Sequence, residues 1–346
     1  MILGTRLLFV LTFLPLLTGC GNLLYLSRLG WHQSFVTFRS LPVEEVLEEE
    51  GLDEEARGKV LLIQEVKRFG ERRLGLKETG NYTKFFEARG PILFLLTASE
   101  KDRLHPHSWH FPIIGRVTYK SIFTLKAALK EKRLLEGRGL DAYLQAAAAY
   151  STLGWLKDPI FSTMLTWDVP TLVNVILHEM VHATIYFKGE TDLNEKIATF
   201  IANQGTLQFL SERYGPDSRE VSLALQYQED DLLFSRWVEK AYRELSEFYA
   251  QPLSREEKLK GREEIFERLR EQFVQLLGQF KTDCYRGFEK TEFNNAVILA
   301  HRRYVGHLEG FEELYERSGR ELKKVVDYFK EIRAKGDWKA LSPFKE

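Results

Sequence analysis

PTLVNVILHEMVHATIYF, residues 170–187, decides how this chain reads. Its apolar residues, Leu172, Val173, Val175, Ile176, Leu177, Met180, Val181, Ala183, Ile185, Tyr186 and Phe187, run all the way round a helix. A helix apolar on every side is a buried helix. The strongly polar exceptions are Asn174, His178, Glu179 and His182. His178 and His182 stand at i and i+4, so both imidazoles leave one face, one turn apart. Burying two imidazoles and a carboxylate in an apolar core is costly unless they are paired or bind a metal. The spacing is H-E-x-x-H, two zinc ligands with a general-base glutamate between them. The expected roles are Zn2+ on His178 and His182, with Glu179 as the base.

A hydrolytic zinc ion takes three protein ligands and keeps a fourth position open for water. The candidate third ligand is Glu195. Phe187-Lys188-Gly189-Glu190-Thr191-Asp192 reads as a turn, and a second helix starts at Thr191 or Asp192. From His182 the first helix falls about 7 Å to its end, and the second climbs about 5 Å to Glu195. Antiparallel packing then brings Glu195 level with His182. Asp192-x-x-Glu195 is also a capping-box spacing, so a purely capping Glu195 stays open. Glu190 and Asp192 are weaker ligand candidates. Residues 185 and 188 are Ile and Lys, so a third-histidine extension of the motif is absent.

Around this centre the chain has 346 residues, 49 Lys and Arg against 50 Asp and Glu, and a net charge of −1. That balance argues against a general nucleic-acid binder. With 44 % hydrophobic and 29 % charged residues the composition is globular. Two cysteines make no disulfide framework. From residue 170 onward almost everything reads as helix: 170–187, 192–213, 217–248, 254–281, 290–304, 308–317 and 319–334. Upstream, helices are expected from Ser40 to Gly51, Asp53 to Leu74 and Lys126 to Leu135. Strands are expected at 82–86, 91–97 and 117–123. Residues 141–150 are ambiguous: four consecutive alanines favour a helix, while the setting suits an edge strand. The dense mixed charge of residues 255–271 reads as a solvated helix face.

The N-terminus, MILGTRLLFVLTFLPLLTGC, has a basic Arg6 and an apolar run at 7–17 that is too short to span a bilayer. It ends in Leu17-Thr18-Gly19-Cys20, which resembles the bacterial lipobox. Residues 1–19 are therefore read as a lipoprotein signal peptide and 20–40 as a tether lipidated at Cys20. Residues 41–346 are read as a single metallopeptidase domain. The chain is expected on the membrane through that anchor, in the cell envelope, at the outer membrane and facing the periplasm. Cys284 then stands alone, and a buried structural thiol is the expectation.

Other residues carry weaker readings. Tyr304 and His301, with Tyr150 behind them, are candidates for a further oxyanion donor. His105, His107 and His110 form a loop cluster that reads either as an ordinary loop or as a second metal site. Phe111-Pro112-Ile113-Ile114-Gly115 reads equally as a cleft wall or as core packing.

The H-E-x-x-H helix followed by Asn194-Glu195-x-x-Ala198 resembles the gluzincin zinc peptidases. The mature chain more closely resembles the bacterial "predicted aminopeptidase" lipoprotein family. The matching strings are Phe111 to Gly115, Ala149-Tyr150-Ser151-Thr152-Leu153-Gly154-Trp155, Asp158-Pro159, Ser162-Thr163-Met164-Leu165, residues 178–184, residues 194–198 and Asn294-Asn295-Ala296. The resemblance implies zinc on His178, His182 and Glu195, Glu179 as base, and a peptide substrate. It also implies an α+β, mostly helical fold: a gluzincin-like core with a small sheet beside the two site helices. The family often carries cysteines where this chain has His110 and Arg116, which fits a dispensable disulfide. No Gly-x-Met-Glu-Asn string, the amine-binding strand of gluzincin aminopeptidases, is present.

The reading is a lipid-anchored zinc peptidase, an aminopeptidase by resemblance. Its rivals are a zinc-stabilised non-catalytic envelope lipoprotein and a zinc hydrolase of a non-peptide amide. The first rival needs a fourth protein ligand closing the site.

Overall fold

A strand that is apolar at nearly every position must have both faces covered. PILFLLT is such a run, and in the computed structural model it lies at the centre of the principal sheet. The structure describes residues 30–32, 34–48, 51–111, 115–147, 157–305 and 308–345. The leader reading of residues 1–19, Cys20, Tyr150, Pro112 to Ile114 and residues 148–156 lie outside them.

In chain order the elements are β1 (Leu41–Pro42), α1 (Val43–Glu48), α2 (Glu54–Arg72), β2 (Lys84–Phe86), β3 (Leu93–Glu100), β4 (Trp109–Phe111), β5 (Gly115–Val117), β6 (Tyr119–Ile122), α3 (Leu125–Gly137), β7 (Leu140–Ala147) and β8 (Ile160–Phe161). Helices follow: α4 (Val169–Thr184), α5 (Thr191–Tyr214), α6 (Arg219–Tyr249), α7 (Arg255–Leu276), α8 (Asn295–Val305), α9 (Glu309–Arg317) and α10 (Leu322–Lys335). The fold is α+β and mostly helical. Ser40–Glu346 form one compact unit and Met1–Arg39 group apart. In the latter, residues 30–32 and 34–39 are helical.

Strands β6, β3 and β7 make an antiparallel sheet in that order. Of the ambiguous segment, residues 141–147 are therefore a strand, and among the described residues it lies at an edge. Helix propensity is worth only a few tenths of a kcal/mol per residue, and pairing along the whole of β3 overrides it. Alternation splits β3 between two surroundings. Phe94, Leu96 and Ala98 pack with Ala128 and Leu135 of α3 in one cluster. Leu93, Leu95 and Thr97 face the other way, beside Ser121 and Tyr119 of β6 and Gln145 and Tyr143 of β7.

On that second side lie α4, α5 and α8. Helix α4 begins where Asp168 accepts a hydrogen bond from the Thr171 amide at 2.9 Å, with Pro170 in the first turn. It ends at Thr184, three residues before the end of the expected span. Helix α4 packs against α2, α5 and α6. The fit with α5 is close: a Cβ on Gly205 would lie 3.0 Å from Leu177 and from Leu74.

One buried polar network ties sheet to helices. Arg262 of α7 donates to both oxygens of Asp141 on β7, at 2.7 and 3.0 Å, and to the Lys101 carbonyl at 2.7 Å. The Asn295 amide N–H donates to Asp141 at 3.0 Å, and the Asn295 side chain donates to the Glu100 carbonyl at 2.9 Å. Tyr249 of α6 donates to Asn295 Oδ1 at 2.9 Å. Asp141, Arg262 and Asn295 are all buried. Arg262 thus departs from the solvated face expected of residues 255–271, because a bidentate carboxylate partner compensates its desolvation. Cys284 also departs from expectation. It is exposed in a loop after α7, not buried on a helix.

Arg262→Ala should cost about 3–5 kcal/mol in urea unfolding, because it strands the Asp141 charge in the interior. Adding Asp141→Asn should recover part of that loss. A single variant within about 1 kcal/mol of wild type would show that the network carries little stability.

Candidate metal centre

The two imidazoles and Glu195 meet as the spacing requires. His178 Nε2 and His182 Nε2 are 3.0 Å apart, and each lies 3.3 Å from Glu195 Oε2. Neutral imidazoles offer one donor and one acceptor each, so this triangle cannot satisfy itself without added charge. In a tetrahedral zinc site with bonds of about 2.0–2.1 Å, neighbouring ligand atoms stand about 3.3 Å apart. The three donors match that spacing. Among the described residues they are the one group of three or more His, Cys, Asp or Glu side chains that converges to hold a metal. The donor set, two imidazole nitrogens and a carboxylate oxygen, fits zinc. His182 Nδ1 is buried without a hydrogen-bond partner among the described residues.

Glu195 is aimed by its surroundings. Helix α5 starts at Thr191, and its preceding residue, Glu190, makes no side-chain cap. Glu195 therefore lies one residue past the first turn and is not occupied in capping. Asn194 explains how. Its Oδ1 accepts from the Phe187 N–H at 2.8 Å and its Nδ2 donates to the Phe187 carbonyl at 2.8 Å. That two-pronged clamp fixes the link between α4 and α5, in which Gly189 takes φ +83°. The Tyr119 hydroxyl donates to Glu195 Oε1 at 3.2 Å, which leaves Oε2 for the imidazoles. Buried Arg303 lies over the Tyr119 ring, 5.0 Å from its centroid, and donates to Asp192 at 3.2 Å. Burial pushes the Glu195 carboxyl up, but His182 and His178 together outweigh it and hold the group well below the usual carboxylate range.

Glu179 sits on the same helix but outside the triangle. It is buried, and burial above all raises its pKa to about 7, with Glu195 and Asp158 adding and His178 opposing. A carboxylate tuned near neutrality suits proton transfer. Tyr82, buried nearby with φ +61°, feels the Glu179 and Asp158 charges. Backbone in that region is strained for a tyrosine, and such strain clusters at functional sites.

A cavity of about 320 Å³ opens on the centre. His178, Glu179, His182, Glu195 and Tyr304 line it, with Leu93, Leu95, Tyr119 and Ser121 from the sheet. Among its described lining residues the carboxylates are Glu179 and Glu195. Tyr304 lines the cavity from α8. Burial, with Glu195 adding, pushes its pKa up, so it stays a neutral hydroxyl. His301 is not in this cavity. Its ring packs among Phe234, Phe288 and Tyr143, with centroids 5.3, 4.9 and 5.7 Å away. Tyr304 lies almost one turn further along α8 than His301, and only Tyr304 reaches the site. His105, His107 and His110 do not converge; His107 stands edge-on to Trp109 at 4.7 Å.

Sequence reasoning missed Tyr119, Arg303 and Tyr82. Tyr119 sits on β6, and Arg303 on α8 more than a hundred residues from α4, so no local spacing ties either to the motif.

The model of one family, described as "Putative aminopeptidase", matches residues 24–340. No curated protein and no solved structure matches.

Two outcomes follow from this geometry. Tyr119→Phe should weaken zinc binding by about 10–100-fold in chelator competition, since it frees Glu195 Oε1; unchanged affinity would rule out a positioning role. His301, whose pKa burial lowers to about 4, is neutral in the fold but protonates near its ordinary value when unfolded. Stability is therefore lost as pH falls from about 6.5 towards 4. His301→Phe should gain about 3 kcal/mol on wild type across that window in unfolding titrations. A pH-independent difference would refute this.

Proposed function

The chain belongs to the family described as "Putative aminopeptidase", and from that membership and the site we propose that it is a zinc-dependent peptidase. The observation that carries the reading is the triangle His178, His182 and Glu195 beside a buried glutamate that is not part of it. A structural zinc site takes four protein ligands, whereas three donors converge among the described residues, and the cavity opens beside them. A buried carboxylate outside the ligand set has no use in a structural site.

Zinc, when bound by these three residues, supplies Lewis-acid polarisation of a carbonyl and lowers the pKa of water. The chain's own residues do the rest. Glu179 takes the proton of the attacking water and returns it to the leaving amine. The Tyr304 hydroxyl faces the cavity as a neutral donor for the developing oxyanion. The apolar wall of Leu93 and Leu95 excludes water and receives uncharged parts of the substrate. Leu17-Thr18-Gly19-Cys20 supports attachment to the membrane by lipid at Cys20, in the cell envelope and facing the periplasm.

The test uses the metal-loaded protein and its Glu179→Gln variant on free and N-acetylated peptide mixtures, with products mapped by mass spectrometry. Glu179→Gln should keep its zinc and lose turnover by about 10²–10⁴-fold. Loss of single residues from free N-termini alone would make the enzyme an aminopeptidase. Near-normal turnover in the variant would overturn the mechanism. A zinc-loaded wild type that cleaves nothing would overturn the peptide substrate in favour of a non-peptide amide or a stabilising zinc.

A further inference from the structure

The helical residues 30–32 and 34–39 wear their aromatic side chains on the outside. Trp31 is 74 % exposed, Phe35 45 % and Phe38 88 %, while the small Val36 is buried. Read from the sequence at 100° per residue, the helical period places Trp31, Phe35 and Phe38 within an arc of about 60°. Exposing three large aromatics on one stripe reverses the usual pattern of a surface helix, and such patches mark interaction sites.

Charge identifies the occupant. Residues 21–40 contain Arg28 and Arg39 and no Asp or Glu. The Arg39 guanidinium lies over the Phe35 ring, 4.9 Å from its centroid. The next stretch reverses sign: residues 44–55 carry Glu44, Glu45, Glu48, Glu49, Glu50, Asp53, Glu54 and Glu55 without one Lys or Arg. A tryptophan-phenylalanine stripe beside arginines suits the headgroup boundary of an anionic bilayer. The acid-rich stretch would be repelled from that surface. Position agrees: Trp31 follows Cys20 by eleven residues, at most about 40 Å of extended chain.

We infer that residues 30–39 form an interfacial helix that lays Trp31, Phe35 and Phe38 into the surface of an anionic lipid bilayer, a membrane contact additional to the lipid on Cys20. The inference goes beyond the peptidase reading and uses the lipid reading only to bring the bilayer within reach.

The full chain, purified from its own membranes, is placed in vesicles of phosphatidylethanolamine and phosphatidylglycerol with part of the acyl chains brominated near the headgroup. Trp31 is one of six tryptophans, so the wild type is compared with Trp31→Phe, which keeps the apolar contact and removes the reporter. Bromolipid should quench a part of wild-type emission that is missing in Trp31→Phe. Phe35→Ser with Phe38→Ser should reduce that quenching several-fold at unchanged far-ultraviolet dichroism. Equal quenching in wild type and Trp31→Phe overturns the proposal. So does a crosslinked dimer whose Trp31 is unquenched, since a second copy is then the occupant. Mass analysis of Cys20 separates the two readings. Protein lacking lipid that still floats with Trp31 quenched supports the helix and removes the anchor. Lipidated protein with Trp31 unquenched keeps the anchor and removes the helix.

Discussion

Two imidazole nitrogens and a carboxylate oxygen held about three ångströms apart inside an apolar helix pair cannot satisfy one another. The rest of the structure is arranged around that constraint. The triangle needs α4 and α5 antiparallel and close, which the Asn194 clamp on Phe187 and the small contact surface at Gly205 provide. It needs Glu195 turned inward, which the Tyr119 hydroxyl secures from the sheet. It needs a third wall, which α8 supplies with Arg303 and Tyr304.

The sheet is therefore more than a cover for the site. Its register decides which side of β3 faces the metal centre and which faces α3. A shift of one residue would exchange Leu95 for Leu96 and turn Tyr119 away from Glu195. The buried Asp141–Arg262–Asn295 network fixes the far end of the same sheet against α7 and α8. Asn294-Asn295-Ala296, one of the strings that carry the family resemblance, thus acts through Asn295 in holding α8 to β7 and the end of β3. Tyr304, two and a half turns along that helix, depends on the anchorage for its place in the cavity.

Much of the candidate site was legible because its core is local. His178, Glu179 and His182 lie within one turn and a half of one helix, and Glu195 is reached by a short connection, so periodicity and rise per residue bring them together. The helices of the second half were legible for the same reason. Their ends moved by a few residues, as at Thr184 and Leu276. The strand state of β7 was not legible, since its pairing comes from β3, forty-odd residues earlier. Arg262 was hidden among charges that look alike in sequence, and only its partner on β7 distinguishes it from the exposed residues around it.

What the sequence by itself determined is the chemistry: a buried helix with two imidazoles on one face, a carboxylate between them, and a third donor one short turn away. Those follow from residue type and helical period, which act over a few residues. Tertiary structure alone decided what surrounds that chemistry: which tyrosine aims Glu195, which of His301 and Tyr304 reaches the cavity, and which charged residue is buried. Each of these depends on a partner from a distant segment, and hydrogen bonding and burial are settled only when the strands and helices have been brought together.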